Sequence, residues 1–145
     1  MTRPTFATTH EVRDACLCLH VQRAARALAR RFDEALRPVG LTNGQFSLMM
    51  SLNRPQAPDM GAVASLLGMD RSTLTAALKP LRRRGLVKVK LDPADGRGRL
   101  MMLTAKGRRV LGRAVPVWRR THAAVEALLP DGDPERLRKS LRAVS

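Results

Sequence analysis

Ser72, Thr73 and Thr75 stand within one helical turn of one another, and Arg71, Lys79 and Arg83 flank them. Short hydroxyl side chains let a backbone approach a groove closely and can bond base edges or phosphates. Arginine and lysine add charge and bidentate contacts to guanine. At helical spacing Ser72, Ala76, Lys79 and Arg83 centre on one face, with Thr73 and Thr75 beside it, while Leu74, Ala77, Leu78 and Leu81 share the opposite face. The chemistry indicated is recognition of duplex nucleic acid. For such a helix taken alone, a merely solvated face is the plain alternative.

A second group follows in Asp92-Pro93-Ala94-Asp95-Gly96-Arg97-Gly98, a sequence suited to a turn. Arg97 at its tip suits the minor groove, where narrow A·T tracts concentrate negative potential. Arg99 follows it and joins the DNA-binding set. Asp92 or Asp95 would repel a phosphate unless paired internally, so at least one is expected to brace Arg97 or another arginine. Between Arg71 and Arg109 lie twelve Lys and Arg against two Asp, a net +10 of the chain's formal +15. That balance points to an anionic partner, nucleic acid first and an acidic membrane surface as its rival.

Other chemistries find less support. There is no glycine-rich phosphate loop, no paired-carboxylate or Ser/His/Asp constellation that can be placed, and no tyrosine, so no enzyme is expected. The three histidines lie far apart without an acidic cluster, and neither metal nor cofactor is expected. Cys16 and Cys18 are too few for a disulfide framework or a four-thiolate zinc site. Within a helix their side chains would point roughly 200° apart, a poor geometry for a bond between them.

The elements that must position these residues are legible as patterns. The 145 residues, 44% of them apolar, suit one domain. Glu11 to Leu36 reads as one long amphipathic helix, stopped by Pro38 and Gly40. Thr42 and Gln45 form a capping box for a helix from Asn43 to about Asn53, burying Phe46, Met49 and Met50. Asp59 caps a short helix with Val63, Leu66 and Leu67 inward, and Gly68 ends it. Asp70 caps the next, so the two form a helix-turn-helix. Pro80 removes a hydrogen bond to the Ala76 carbonyl and is expected to bend that helix.

Leu86 to Leu91 alternates at strand period with Val87, Val89 and Leu91 on one face, and Arg99 to Leu103 is a second strand. Together they make a basic-tipped hairpin. Thr104 caps a helix running towards Pro130 with a kink at Pro116, and Asp133-Pro134 begins a last helix carrying Leu137, Leu141 and Val144. Outer helices with apolar stripes and little core of their own call for a partner chain. No apolar stretch approaches the ~20 residues of a membrane span. The polar start MTRPTFATTHE lacks the apolar core of a secretory signal, so a cytoplasmic location is expected, with no membrane partner.

The order of elements and the residues themselves resemble the MarR family of bacterial transcriptional regulators, named for multiple antibiotic resistance. The resemblance runs from the helix containing Leu19 to the last helix and is strongest from LLGMDRSTLTAALKPLRRRGLV through DPADGRGRLMMLTAKG. Asp92, Asp95 and Arg97 match the family's Asp-x-Arg-Asp-x-Arg wing pattern at both acids and the final arginine. Leu103-Thr104-x-x-Gly107 matches the usual start of the fifth helix. Ala94 stands in place of the wing's first arginine, and Ala76 where many relatives carry an arginine.

The resemblance implies a mainly α fold with a small β-hairpin wing, in one domain over 1–145. Residues 42–104 would form the winged helix-turn-helix lobe, with the wing at 86–103, and 11–36 and 105–145 the N- and C-terminal dimerisation helices. It implies a homodimer on a near-palindromic operator, with half-sites ~34–36 Å apart when successive turns are read. Asp95 and Arg97 take the places of the bracing acid and minor-groove arginine, and Ser72, Thr73, Thr75 and Lys79 lie where relatives contact DNA. Regulation in the family comes from a small, often aromatic, ligand or from cysteine oxidation. His20, Met49, Met50, Trp118 and His122 are the pocket candidates, although a Met or Trp at this spacing also reads as core. Cys16 and Cys18 are the sensor candidates. The expected function is a sequence-specific repressor of transcription; a sequence-tolerant architectural DNA protein is the alternative.

Overall fold

The computed structural model describes residues 2–145. Their order is α1 (Phe6–Ala15), α2 (Leu17–Leu36), a 3-10 turn (Arg37–Val39), α3 (Asn43–Ser51), α4 (Met60–Leu67), α5 (Arg71–Arg83), β1 (Val87–Asp92), β2 (Asp95–Leu103), α6 (Ala105–Glu126) and α7 (Pro134–Ala143).

Each helix of the lobe starts where a side chain captures an otherwise orphaned N–H. Thr42 accepts from the Gln45 N–H, and the Gln45 side chain accepts in return from the Thr42 N–H, at 3.2 and 3.1 Å. Asp59 accepts from Ala62, Asp70 from Thr73, and Thr104 from Gly107. Gly68 (φ 65°) and Gly85 (φ 69°) take the left-handed conformation that closes α4 and α5. Only Gly68, Met69 and Asp70 therefore separate the two helices of the helix-turn-helix.

β1 and β2 pair antiparallel from Val87↔Leu103 to Leu91↔Arg99, with an irregularity at Leu91 and Asp92. An isolated bridge from Asp59 to Leu100 adds a third short edge and ties the start of α4 to the wing. The core lies between α2, α3, α5, the hairpin base and α6. Leu36, Leu48, Met49, Leu74, Leu81, Leu86 and Met101 are fully enclosed there. Burying each such side chain stabilises the fold by about 1.5–3 kcal/mol before entropy is counted.

Several expectations are corrected. The N-terminal helix begins earlier, at Phe6, and is two helices. Cys16 has extended backbone (φ −69°, ψ 109°), ending α1 and capping α2. Leu66 is 68% exposed, because Val63, Ala64 and Leu67 occupy the buried arc of α4 and Leu66 lies roughly a right angle away from it. β2 begins at Asp95, so the turn itself shrinks to Pro93 and Ala94. On the hairpin, Val87 is buried and Leu91 is 58% exposed, since the strands leave the core as they approach the tip. Neither proline expected to bend its helix ends it, α5 continuing past Pro80 and α6 past Pro116. Pro80 lies within the last turn of α5, where the Arg84 N–H reaches its carbonyl at 3.1 Å.

No residue of α1 or α7 is buried within the chain, and of α2 only Leu36 is. No helix of the described residues is long and apolar enough to cross a membrane.

Candidate nucleic-acid interface

α5 owes its orientation to its two ends. At the N-terminus the Asp70 carboxylate accepts from the Thr73 N–H at 2.7 Å and from the Ser72 hydroxyl at 2.9 Å. These bonds, the Thr73 N–H foremost, hold the Asp70 carboxyl below its ordinary pKa. At the C-terminus, Thr104 donates its hydroxyl to the Gly85 carbonyl at 2.6 Å, and Lys106 donates to the Arg84 carbonyl at 2.9 Å. Leu74, Leu78 and Leu81 anchor the inner face. The outer face is left to Arg71, Ser72, Thr73, Thr75, Lys79 and Arg83, all exposed.

The hydroxyls on that face have assigned roles. Ser72 gives its hydrogen to Asp70, and Thr75 gives its hydrogen to the Arg71 carbonyl at 2.9 Å. Their remaining outward capacity is as acceptors, which suits amino groups of adenine or cytosine in the major groove.

The hairpin meets α5 across two adjoining clefts. One, of about 370 Å³, is bounded by the start of α4, by Arg71 and Thr75, and by Asp92, Asp95, Arg97 and Arg99 of the wing. The other, of about 350 Å³, adds Lys79, Arg82 and Lys90. Helix and wing residues far apart in sequence thus share one basic surface. Ser72, Thr73 and Arg83 lie on α5 without lining either cleft. Arg82, Lys90 and the Asp59–Gly61 segment line them without standing out in the sequence. For Lys90 the available signal was its alternation with Lys88; for Asp59–Gly61 there was none, because the bridge to Leu100 brings them there.

The wing acids bond differently from expectation. Asp92 accepts from the Ala94 N–H at 2.9 Å and Asp95 from the Arg97 N–H at 3.0 Å. Neither forms an ion pair among the described residues. Asp95 therefore shapes the backbone at Arg97 and leaves the guanidinium outward. Gly98 packs closely beside it: a β-carbon there would lie 3.2 Å from that of Asp92, which would have to shift by a few tenths of an ångström.

The remaining candidates are dispersed. Met49 is fully buried, Met50 packs at the edge of the core, and Trp118 stacks between Phe46 (6.1 Å) and His122 (4.7 Å). His20 is exposed on α2, its Nδ1 2.8 Å from the Cys16 carbonyl. None of them lines either cleft. Cys16 is half-buried and its Sγ accepts from the Leu19 N–H at 3.5 Å; Cys18 is exposed and accepts from Gln22 at 3.1 Å. Since Cys16 is outside the helix, the objection from helical geometry to a bond between the two thiols does not apply.

The arrangement has known counterparts. The sequence profile of the MarR family matches residues 39–98. The transcriptional regulator MosR of Mycobacterium tuberculosis, solved in complex with DNA, is 42% identical, with 89% of this chain and 92% of that one covered and a TM-score of 0.81. The transcriptional repressor CouR, bound to a 23-mer DNA duplex, is 28% identical with 99% of both chains covered and a TM-score of 0.81. CouR of Rhodococcus jostii RHA1 has also been solved bound to p-coumaroyl-CoA. The transcriptional regulator HosA of Escherichia coli O111:H- is 32% identical over 77 residues, 53% of this chain and 57% of that one. The chain thus spans a little over half the length of this curated relative. With the profile match falling on the helix-turn-helix and the wing, and with MosR superposing over nearly its whole length, the chain belongs to the MarR family.

Proposed function

We propose that the protein is a sequence-specific, double-stranded-DNA-binding transcriptional regulator that acts as a homodimeric repressor in the cytoplasm. The observation that carries this reading is the convergence of the outer face of α5 and the wing arginines on one surface, where Arg71, Lys79, Arg82, Lys90, Arg97 and Arg99 outnumber Asp59, Asp92 and Asp95. Arg71, Ser72, Thr73, Thr75, Lys79 and Arg83 would serve the major groove, and Arg97 with Arg99 the flanking minor groove. The DNA complexes of MosR and CouR support the same assignment.

The homodimer is supported by apolar side chains left outside the single chain. Phe6 (74% exposed), Val12, Leu17, Leu137, Leu141 and Val144 lie on α1, α2 and α7 or at its end, helices that bury almost nothing against their own lobe. Two lobes related by a two-fold axis would read a near-palindromic operator. Release by a small aromatic ligand is supported by the CouR complex with p-coumaroyl-CoA. Release by oxidation is supported by the placement of Cys16 and Cys18 at the joint between α1 and α2.

The test is a salt-series titration of the protein against the DNA upstream of its own gene and a scrambled duplex of equal length. Much tighter binding to the upstream DNA that persists as salt rises is expected. Equal binding to both, fading together with salt, would favour a sequence-tolerant architectural protein.

A further inference from the structure

Asp70, the cap of α5, also fixes the direction of a hydroxyl on the outer face. One carboxylate oxygen, Oδ1, accepts from the Thr73 N–H at 2.7 Å and from the Ser72 hydroxyl at 2.9 Å. The bonds to Thr73 first, and then to Ser72, hold the carboxyl below its ordinary pKa, so at neutral pH it is ionised and can only accept. The single hydrogen of the Ser72 hydroxyl is therefore committed to it. At Thr75 a different acceptor has the same effect. The Arg71 carbonyl, at 2.9 Å, has no hydrogen to offer, and the Thr75 hydroxyl must be the donor.

Both hydroxyls thus turn lone pairs outward and no hydrogen. Ser72 and Thr75 are exposed, and Ala76 beside them carries only a methyl group, so no long side chain at that position holds α5 away from a groove. Three helical residues separate the two hydroxyls, a rise of about 4.5 Å with about 60° of rotation. Base pairs are stacked about 3.4 Å apart, and the two acceptors are spaced to meet neighbouring pairs. In the major groove only adenine N6 and cytosine N4 offer hydrogens, whereas guanine O6 and N7 and thymine O4 accept. A hydroxyl without a free hydrogen opposite O6 or O4 would set lone pair against lone pair.

We propose that Ser72 and Thr75 select exocyclic amino groups, adenine N6 or cytosine N4, on neighbouring base pairs of the half-site, and that Asp70 is the positioning residue that fixes the polarity at Ser72. This rests on the proposed binding of an operator by α5 and states what that binding reads. Asp70 bonds Ser72 and not Thr75, so the two positions are separable.

The experiment starts from random-sequence duplexes selected on the full-length protein, which yields the preferred half-site. Each adenine of that half-site is then replaced singly by purine, and each cytosine by pyrimidin-2-one, which lack only the amino group. The parent, Ser72→Ala and Thr75→Val are titrated against every duplex. Loss of the amino group should weaken binding by the parent about five- to twentyfold at two positions. At one of them Ser72→Ala should be indifferent to the replacement within about twofold, and at the other Thr75→Val, which assigns the coupling to that pair and not to a weakened base pair. Whichever analogue has the effect identifies the base. Asp70→Gly leaves α5 with a glycine at its cap, at small cost in stability, and frees the Ser72 hydrogen. It should let thymine or guanine stand at the Ser72 position alone, a change that a weakened helix would not confine to one base pair. Amino groups that matter equally to parent and variants would overturn the inference and leave operator recognition standing. A preference for thymine or guanine at both positions would do the same. An unchanged ranking of bases in Asp70→Gly would remove Asp70 as the positioning residue. A pool in which no sequence is enriched would overturn operator recognition itself, and this inference with it.

Discussion

Gly107, in the first turn of α6, lies directly against Leu86, so that a β-carbon at Gly107 would overlap the Leu86 carbonyl oxygen. The Thr104 N–H reaches the same carbonyl at 3.0 Å. α6, a helix proposed to serve dimerisation, and the turn that ends α5 are thus joined backbone to backbone. Gly107→Ala should force them apart and destabilise the protein by about 1–3 kcal/mol, as overpacking does. Urea denaturation checks this, and unchanged stability would show that the joint yields to an added methyl group.

Arg97→Ala should weaken DNA binding and reduce the salt slope by about one, because a single phosphate or groove contact is lost. The exposed guanidinium has no carboxylate partner among the described residues, so thermal unfolding should not change. Unaltered operator affinity at moderate salt would remove Arg97 from the interface.

Thr75→Val keeps the shape of the side chain and deletes its outward acceptor, along with the bond to the Arg71 carbonyl. Loss of one such hydrogen bond is worth about 1 kcal/mol. The change should alter the ranking of operator variants by binding titration. A uniform loss across all sequences would place Thr75 on the phosphate backbone alone.

Asp33 on α2 accepts from the main-chain N–H of Asn43 at 2.7 Å and from its side-chain amide at 2.8 Å. These bonds, the main-chain one first, hold the Asp33 carboxyl below its ordinary pKa. A lowered folded-state pKa means that the unfolded chain binds the proton more readily. The contribution is therefore present above the unfolded value of about 3.9 and lost as pH falls from there through the folded value. Asp33→Ala should flatten the acid side of the stability–pH curve below about pH 4 and leave its neutral side parallel to the parent. Parallel curves throughout would show that the bond does not persist in solution.

Deleting the chain from Asp133 onward removes Leu137, Leu141 and Val144 and the pairs of Arg138 with Glu126 and Glu135, at 2.8 and 2.9 Å. Dimer dissociation measured by sedimentation should become at least tenfold easier, while the lobe keeps its circular dichroism. A dimer of undiminished strength would take α7 out of the interface.

What could be read without coordinates was what depends on neighbours in sequence. The caps Thr42, Asp59, Asp70, Thr104 and Asp133 each bond an N–H three residues on, and that geometry is complete within one turn. Gly68, the inward leucines of α5 and the alternation of β1 are local in the same way, and with the wing motif they were enough to suggest the family and the residues proposed to face DNA. The break at Cys16 was not legible, because neither proline nor glycine marks it. The outward turn of Leu66 and the bond of Asp95 to main chain instead of guanidinium depended on which surfaces met. The cleft joining Arg71 and Thr75 to Arg97 is made by segments tens of residues apart, and the joint of α6 with the end of α5 likewise. Only the packing of α6 on the Leu86 turn and of Asp59 on Leu100 brings those segments together, since side-chain type determines what a residue can bond but tertiary contact determines what is within reach.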